Sequence, residues 1–250
     1  MKKLLELKDV SLVYQTLNDE INAVENLNFC LNEGDFLSLI GPSGCGKTTI
    51  LSLIAGLIKP TTGEIIIDNK TLNGVADDMG YMLQKDHLFP WRTIEKNILL
   101  PLEIKNKLSN KKKEYAHSLL KKYGLEGFIK NYPDSLSGGM RQRVSLIRTL
   151  VSDPKLLLLD EPFSALDSQT RLTVCDDVYK IIKAEKKTAI LVTHDISEAI
   201  SMSDIIIVLT NRPAQVKTII KPNIDGTSPL KRRESPKFGI MFEKIWKELN

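Results

Sequence analysis

The chain has 250 residues, 42% of them hydrophobic, which is enough to bury a sizeable core as one large domain or two small ones. Disordered and collagen-like classes are excluded by this composition. Its 35 basic and 31 acidic residues leave a formal net charge of +4, with the densest basic run at Lys111, Lys112 and Lys113. We interpret that run as a solvated helix face and expect no nucleic-acid partner.

The cysteines and the apolar stretches limit where the chain functions. Cys30, Cys45 and Cys175 are odd in number and form no CxxC pair, so we predict neither a disulfide framework nor a zinc site, and a reducing cytoplasm fits. Residues 1–5 begin like a secretory signal, but charges at positions 6, 8 and 9 interrupt it, so we expect a first strand there. No apolar stretch approaches the roughly 20 residues of a spanning helix, so we expect no part of the chain to cross a membrane.

The first half of the chain reads as strands followed by a helical segment. The predicted strands lie at residues 4–14, 23–31, 36–40, 64–67 and 79–83. The first two are antiparallel around a polar loop at residues 18–20, and the third, a buried strand, leads through glycines into a helix at residues 47–57. Beyond Pro90 the character becomes helical and rich in lysine, so we expect a helical subdomain at about residues 88–150.

The second half alternates strands with helices. Apolar strands are predicted at residues 155–160, 188–193 and 205–209, with helices at residues 168–185 and 196–202. This alternation indicates a parallel α/β sheet. Residues 223–236 are expected to be loop, and a short helix should follow and pack its apolar side on its own domain through Phe238, Met241, Phe242, Ile245, Trp246 and Leu249.

A glycine-rich loop between the third strand and the first helix satisfies the pattern GxxxxGK[ST], with Gly41, Pro42, Ser43, Gly44, Cys45, Gly46, Lys47 and Thr48, followed by Thr49. The glycines let backbone N–H groups turn onto phosphates, and the helix that follows offers its positive end. Lys47 would reach the β and γ phosphates of ATP, and Thr48 would ligate Mg²⁺. We therefore predict that this loop binds ATP.

Two carboxylates end the apolar strand at residues 155–160. Open α/β sheets bind ligands at the carboxyl ends of their strands, where Asp160 and Glu161 lie. Asp160 would hold Mg²⁺, through water or directly. Glu161 would polarise the water that attacks the γ-phosphate.

A third motif, Leu136-Ser137-Gly138-Gly139-Met140-Arg141-Gln142, resembles the signature of ABC-type ATPases. Gln84, the run Ser164-Ala165-Leu166-Asp167 and the run Thr193-His194-Asp195 follow the order of that family. The resemblance covers about residues 2–220 and implies an α/β P-loop NTPase fold of ABC type, with a mostly parallel core sheet, an antiparallel β subdomain and a helical signature subdomain. It implies an ATPase domain at residues 1–222 with helical residues 88–150 inserted, and a C-terminal loop and helix at residues 223–250 without a separate regulatory domain.

The resemblance also implies roles for single residues. Tyr14 is similar to the aromatic that stacks on adenine, and Gln84 to the residue that senses the γ-phosphate and Mg²⁺. His194 resembles the histidine that contacts the γ-phosphate, and Asp167 the residue that communicates across an ATPase dimer. The expected catalytic residues are Lys47, Gln84, Glu161 and His194, and the expected Mg²⁺ ligands are Thr48, Gln84 and Asp160. His87 and His117 are expected to be ordinary loop or surface residues.

The signature implies that the site is shared between two chains. In the family, the nucleotide on one P-loop is contacted by the signature of the other copy, here Ser137, Gly138 and Gly139. The predicted partner is a second copy or a homologous ATPase subunit. ATP would hold the pair together between a P-loop and an opposing helix N-terminus, and hydrolysis would release it.

A single ATPase of this length, without fused spans, resembles an importer subunit that docks on permease chains supplied by a solute-binding protein, at the cytoplasmic face of the cell membrane. Residues 86–94 and 209–213 are similar to the nitrate, sulfonate and taurine importer ATPases, although thiamine and pyrimidine-precursor importers share much of this pattern. Residues 88–91 also read as a proline turn that two aromatics anchor in the core. Two alternatives are a soluble ATP-driven dimerisation switch, which predicts a broad basic groove, and a P-loop kinase, which leaves residues 136–142 unexplained.

Overall fold

Two sheets and a set of flanking helices make up the computed structural model, which describes residues 2–15 and 19–249. The elements are, in chain order, β1 Lys3–Gln15, β2 Glu20–Asn32, β3 Phe36–Ile40, α1 Lys47–Ile54, β4 Thr62–Ile67, β5 Lys70–Thr71, β6 Met79–Met82, α2 Ile94–Ile104, α3 Asn110–Lys122, α4 Gly138–Leu150, β7 Leu156–Asp160, α5 Ser168–Ala184, β8 Thr188–Val192, α6 Ile196–Met202, β9 Ile205–Leu209, β10 Val216–Ile220, α7 Pro229–Arg233 and α8 Pro236–Leu249.

The larger sheet has the strand order β10, β9, β3, β8, β7, β6, and all its strands are parallel except the edge strand β10. Strands β3, β7 and β8 are buried along their whole length, which explains why their sequences are continuous apolar runs. Because parallel strands end at the same edge, the segments that follow β3, β7 and β8 meet there. The mostly parallel core sheet is therefore confirmed.

Successive residues of the sheet face two different cores. Leu156 and Leu158 lie in a cluster with α1 and the antiparallel sheet, whereas Leu157 and Leu159 lie in a cluster with helices α2, α3, α4 and α5. The second sheet is antiparallel and has the strand order β2, β1, β4, β5. It is the antiparallel β subdomain that the resemblance implied. The loop expected at residues 18–20 falls partly outside the described residues, because Asn18 is not among them, and Glu20 already belongs to β2.

The C-terminal segment corrects two sequence predictions and adds one strand. The edge strand β10 was not predicted, and α7 lies inside the segment expected to be loop. Helix α8 packs on α6 and β9 through its apolar side, with Ile245 fully buried. Trp246 does not share this packing: it is 56% exposed and stacks on Phe242, because one residue of helix turns the side chain about 100° away from Ile245. Within residues 2–15 and 19–249, no helix combines the length and the apolar character that a bilayer crossing requires.

Candidate functional site

The loop between β3 and α1 holds the side chain of Lys47 against its own backbone. The ammonium Nζ donates to the carbonyl oxygens of Gly41 and Pro42, both at 2.8 Å, and the residue is 7% exposed. Gly46 has a φ of 121°, and a Cβ there would lie 3.0 Å from the carbonyl oxygen of Ala23, so the turn requires glycine. Among the described residues, no side chain caps the first turn of α1, so its N–H donors are free for an anion.

Asp160 lies at the end of β7, directly beside this loop. Its Oδ1 accepts a hydrogen bond from Thr48 Oγ1 at 3.3 Å, and its Oδ2 accepts one from the hydroxyl of Tyr81 at 3.3 Å. Burial raises the pKa of Asp160, and burial together with this carboxylate raises the pKa of Tyr81. Sequence reasoning missed Tyr81, because only the structure shows that its strand, β6, pairs with β7.

The oxygen donors around Asp160 fit a magnesium ion better than a transition metal. Within the described part of the chain, no three His, Cys, Asp or Glu side chains are grouped to hold a metal. A single carboxylate beside a threonine hydroxyl suits Mg²⁺, which keeps several waters and takes its other ligands from phosphates. Gln84, the third predicted ligand, donates its Nε2 to Ser164 Oγ at 3.3 Å in this structure.

Glu161 and His194 face each other across the ends of β7 and β8. The Nδ1 of His194 is 3.2 Å from Oε2 of Glu161, and the histidine side chain is 60% exposed. The backbone of Glu161 has a φ of 43°, an uncommon value for a residue with a side chain, and its N–H donates to the carbonyl of Val192 at 2.9 Å. Strained backbone of this kind clusters at functional sites. The distance of 3.2 Å shows that the structure brings these two predicted catalytic residues together.

The signature residues lie at the start of α4. Ser137 is the N-cap of that helix: its hydroxyl accepts from the N–H of Met140 at 3.3 Å, and its own side chain is exposed. Gly139 packs against α5, where a Cβ would lie 2.8 Å from Val174 Cγ2. No hydrogen bond or ion pair joins Ser137 to the loop of residues 41–49 in the chain as described. The contact of Ser137 with a nucleotide stays a prediction.

Tyr14 lies near the end of β1, and its side chain is partly exposed. It lines a shallow groove together with Leu12, Val13, Ile58 and Thr61. An exposed aromatic ring in a groove is compatible with stacking on a base. Its role at adenine stays a prediction.

Two arginines of α4 to which sequence reasoning gave no role of their own hold the segment after Gln84. Arg148 donates to the carbonyls of Asp86 at 2.6 Å and His87 at 2.7 Å. Arg141 donates two hydrogen bonds, from its Nε to Oδ2 of Asp86 at 3.1 Å and from its NH1 group to the carbonyl of Leu136 at 3.0 Å. The spacing of seven residues, which places both arginines on one side of the helix, was the available signal. The signature helix thus fastens both the Gln84 segment and the signature loop.

The interpretation of residues 88–91 as a turn anchored in the core by two aromatics is wrong. Leu88 is buried, but Phe89 and Trp91 are exposed and contact each other, with ring centroids 5.0 Å apart. Asn97, which is fully buried, holds this turn instead: its Oδ1 accepts from the N–H of Phe89, and its Nδ2 donates to the carbonyls of Phe89, Arg92 and Thr93. A buried amide replaces the aromatic anchors because it satisfies the backbone groups of the turn.

The sequence and fold are similar to those of known proteins. A family model described as ABC transporter matches residues 24–164. The chain is 48% identical, over 98% of its length and 95% of the relative's, to the uncharacterized ABC transporter ATP-binding protein YtlC of Bacillus subtilis (strain 168). It is 41% identical, over 88% of its length and 86% of the relative's, to the aliphatic sulfonates import ATP-binding protein SsuB of Bacillus thuringiensis subsp. konkukian (strain 97-27). The ATP-binding cassette MJ0796, in a dimeric post-hydrolysis state bound to ADP and Pi, matches with a TM-score of 0.73 and 35% identity, over 87% of this chain and 98% of that one.

Proposed function

The chain belongs to the ABC transporter family as an ATP-hydrolysing subunit, and we propose that it drives uptake of a small nitrate-, sulfonate- or taurine-like solute through separate permease chains. One observation carries the catalytic part of the proposal. Lys47, the adjacent pair Asp160 and Glu161, and His194 come from three distant parts of the sequence and lie together at the carboxyl edge of the parallel sheet.

Each of these residues has a distinct task in the proposed reaction. Glu161 accepts the proton of the attacking water, and His194, 3.2 Å away, donates a hydrogen bond to the γ-phosphate. Lys47 leaves its two backbone carbonyls to neutralise the β and γ phosphates. Thr48, Gln84 and Asp160 would hold Mg²⁺, which would neutralise charge on the phosphate oxygens.

A complete site requires a second copy of the chain. Ser137 is exposed at the N-terminus of α4, so it is available to the nucleotide of a partner. Backbone donors and the helix dipole at such an N-terminus attract phosphate. The dimeric MJ0796 cassette with ADP and Pi supports this pairing. ATP buried between two chains would close the dimer, and hydrolysis would open it.

Residues 86–92 provide the contact with the permease in this proposal. The exposed pair Phe89 and Trp91 offers an aromatic surface, and Arg148 connects its base to the signature helix. Movement of Gln84 with the γ-phosphate would therefore reach the aromatic pair through a segment that hydrogen bonds hold as one piece. Docking at this surface would place the chain at the cytoplasmic face of the membrane.

The SsuB relatives support a solute of the sulfonate class. A strain that lacks this gene should lose uptake of nitrate, alkanesulfonate or taurine and regain it with the wild-type gene. Unchanged uptake of all three solutes would contradict the solute class without affecting the ATPase. Turnover that no permease stimulates would favour the soluble dimerisation switch.

Glu161→Gln tests the catalytic part of the proposal. The variant should bind ATP and form an ATP-dependent dimer in sedimentation, while turnover falls about 10²–10⁴-fold, the usual contribution of a general base. The matched control is Glu114→Gln at an exposed position of α3, which should leave turnover unchanged. Turnover of Glu161→Gln equal to that of the control would remove Glu161 from its role.

A further inference from the structure

Arg171 lies on α5 between two loops of the candidate site. Its NH2 group donates to the carbonyl of Leu166 at 3.0 Å, so it holds the loop of residues 164–167. On its other side, NH1 is 3.6 Å from Oδ2 of Asp195 and Nε is 3.9 Å from Oε1 of Glu198. One guanidinium therefore connects the loop of residues 164–167 with the segment that carries His194.

The segment around His194 is held through its neighbours. Glu198 is 3% exposed, and its Oε2 accepts a hydrogen bond from Thr193 Oγ1 at 2.6 Å. The same hydroxyl accepts from the N–H of Asp195 at 3.0 Å, and Asp195 in turn caps α6 by accepting from the N–H groups of Ser197 and Glu198. Both chain neighbours of His194 are fixed by this network, whereas the imidazole itself is exposed. The position of His194 therefore follows the position of the network.

The other end of the connection reaches the general base. Ser164 Oγ donates to the carbonyl of Glu161 at 2.9 Å and accepts from Nε2 of Gln84. A shift of the loop of residues 164–167 would therefore also move Glu161 and Gln84. The Nε–H of Arg171 is buried and makes no hydrogen bond within residues 2–15 and 19–249. An approach of about 1 Å towards Glu198 would give this donor a partner at hydrogen-bond distance. A second arrangement, with Nε of Arg171 moved onto Glu198, would differ from the observed one by one charge-assisted hydrogen bond.

We propose that Arg171 is a positioning residue that couples the loop of residues 164–167 to His194, by closing on the carboxylate of Glu198. This inference rests on the proposed ATP hydrolysis and on the role of His194 in it. A planar guanidinium suits the task because it contacts a carbonyl and two carboxylates in different directions at once. A lysine keeps the positive charge, but its ammonium group is compact and cannot contact all three groups at once.

The experiment compares Arg171→Lys with Arg143→Lys. Arg143 is a close structural match: its side chain is also 27% exposed, it donates to one carbonyl, it lies 3.6 Å from one carboxylate, and its Nε also makes no hydrogen bond in the described structure. Arg171→Lys should lower kcat about tenfold or more with the KM for ATP unchanged within about twofold, while Arg143→Lys leaves both unchanged. ATP-driven dimerisation, measured in the Glu161→Gln background, should survive both substitutions.

Two further variants keep the inference falsifiable if Arg171→Lys unfolds. Glu198→Gln retains an acceptor for Thr193 but removes the charge that attracts Arg171, so it should also lower kcat with little change in KM. In a His194→Ala background, Arg171→Lys should cause no additional loss, because the two residues act in series. The inference is overturned if Arg171→Lys keeps its kcat, if Arg143→Lys loses as much, or if the losses of Arg171→Lys and His194→Ala multiply. Failure of the proposed function gives a different result, namely a wild-type protein without turnover or a Glu161→Gln variant with full turnover.

Discussion

Glu198→Gln should change how the free energy of unfolding depends on pH. Burial is the largest cause that raises the pKa of Glu198 from its ordinary value of 4.5 to about 7, and the carboxylate of Asp195 adds to it. The hydrogen bond from Thr193 and the charges of Arg171 and His194 oppose this rise. The folded protein therefore binds a proton on Glu198 in a pH range where the unfolded chain has released it.

The sign and size of the effect follow from linkage. Between pH 4.5 and 7 the native state binds more protons than the unfolded state at this carboxyl, so its contribution to stability falls as the pH rises. Above pH 7 the destabilisation is complete, and a shift from 4.5 to about 7 corresponds to about 3 kcal/mol. Glutamine has a similar shape and no charge, so it removes this term. The variant should equal the wild type near pH 4.5 and exceed it in stability by up to about 3 kcal/mol at pH 8.

Urea unfolding followed by circular dichroism from pH 4.5 to pH 8 measures the difference. Glu114→Gln, the same chemical change at an exposed position, should follow the wild type throughout. A Glu198→Gln stability difference of the same size at pH 5 and pH 8 would refute the reasoning, because a pH-independent effect cannot come from a titrating carboxylate. A variant that is more stable yet slower in turnover would show that the buried charge is kept for function at the expense of stability.

Three further predictions concern the core, the turn and the metal. Phe163→Ala should destabilise the protein by about 3–5 kcal/mol in urea unfolding, because Phe163 is fully buried, and a loss under 1 kcal/mol would contradict its place in the core. Asn97→Ala should cost about 3 kcal/mol and increase amide hydrogen exchange at residues 89–93, because backbone groups of the turn lose their partner, and unchanged exchange would argue against this anchor. Asp160→Asn should raise the Mg²⁺ concentration that is needed for binding of a fluorescent ATP analogue, measured by the change in its fluorescence. An unchanged Mg²⁺ requirement would exclude Asp160 as a ligand.

Elements with strong local signals could be predicted from the sequence to the residue. Helix α6 and strand β9 agree with the prediction at both ends, because Asp195 marks the start of the helix and a fully apolar run marks the strand. The strand β10 was missed because it is short, half-exposed and defined mainly by its pairing with β9. The sequence could not show that Trp246 is exposed, because the apolar side of helix α8 is slightly wider than the surface through which the helix contacts the rest of the domain.

The same distinction applies to the candidate site. Lys47, Asp160 and Glu161 could be selected because their motifs are continuous in sequence and follow buried strands. Arg171 and Glu198 could not be selected, because their partners belong to other loops. Their importance depends on contacts of 3.0–3.9 Å that no local sequence pattern encodes. Chemistry is therefore read from motifs, whereas the contacts that orient it require coordinates.

The central claim is that each ATP site is shared between two chains, and mixing two inactive variants tests it. Lys47→Ala disables the phosphate loop, and Ser137→Asp keeps a good helix N-cap while placing a carboxylate against the partner's γ-phosphate. Each variant alone should be inactive in ATP turnover, since both of its sites are damaged. Random pairing of an equal mixture makes half of the dimers mixed, each with one intact site, so turnover should recover to about a quarter of the wild-type value. Turnover of the mixture equal to the mean of the two separate variants would contradict a shared site.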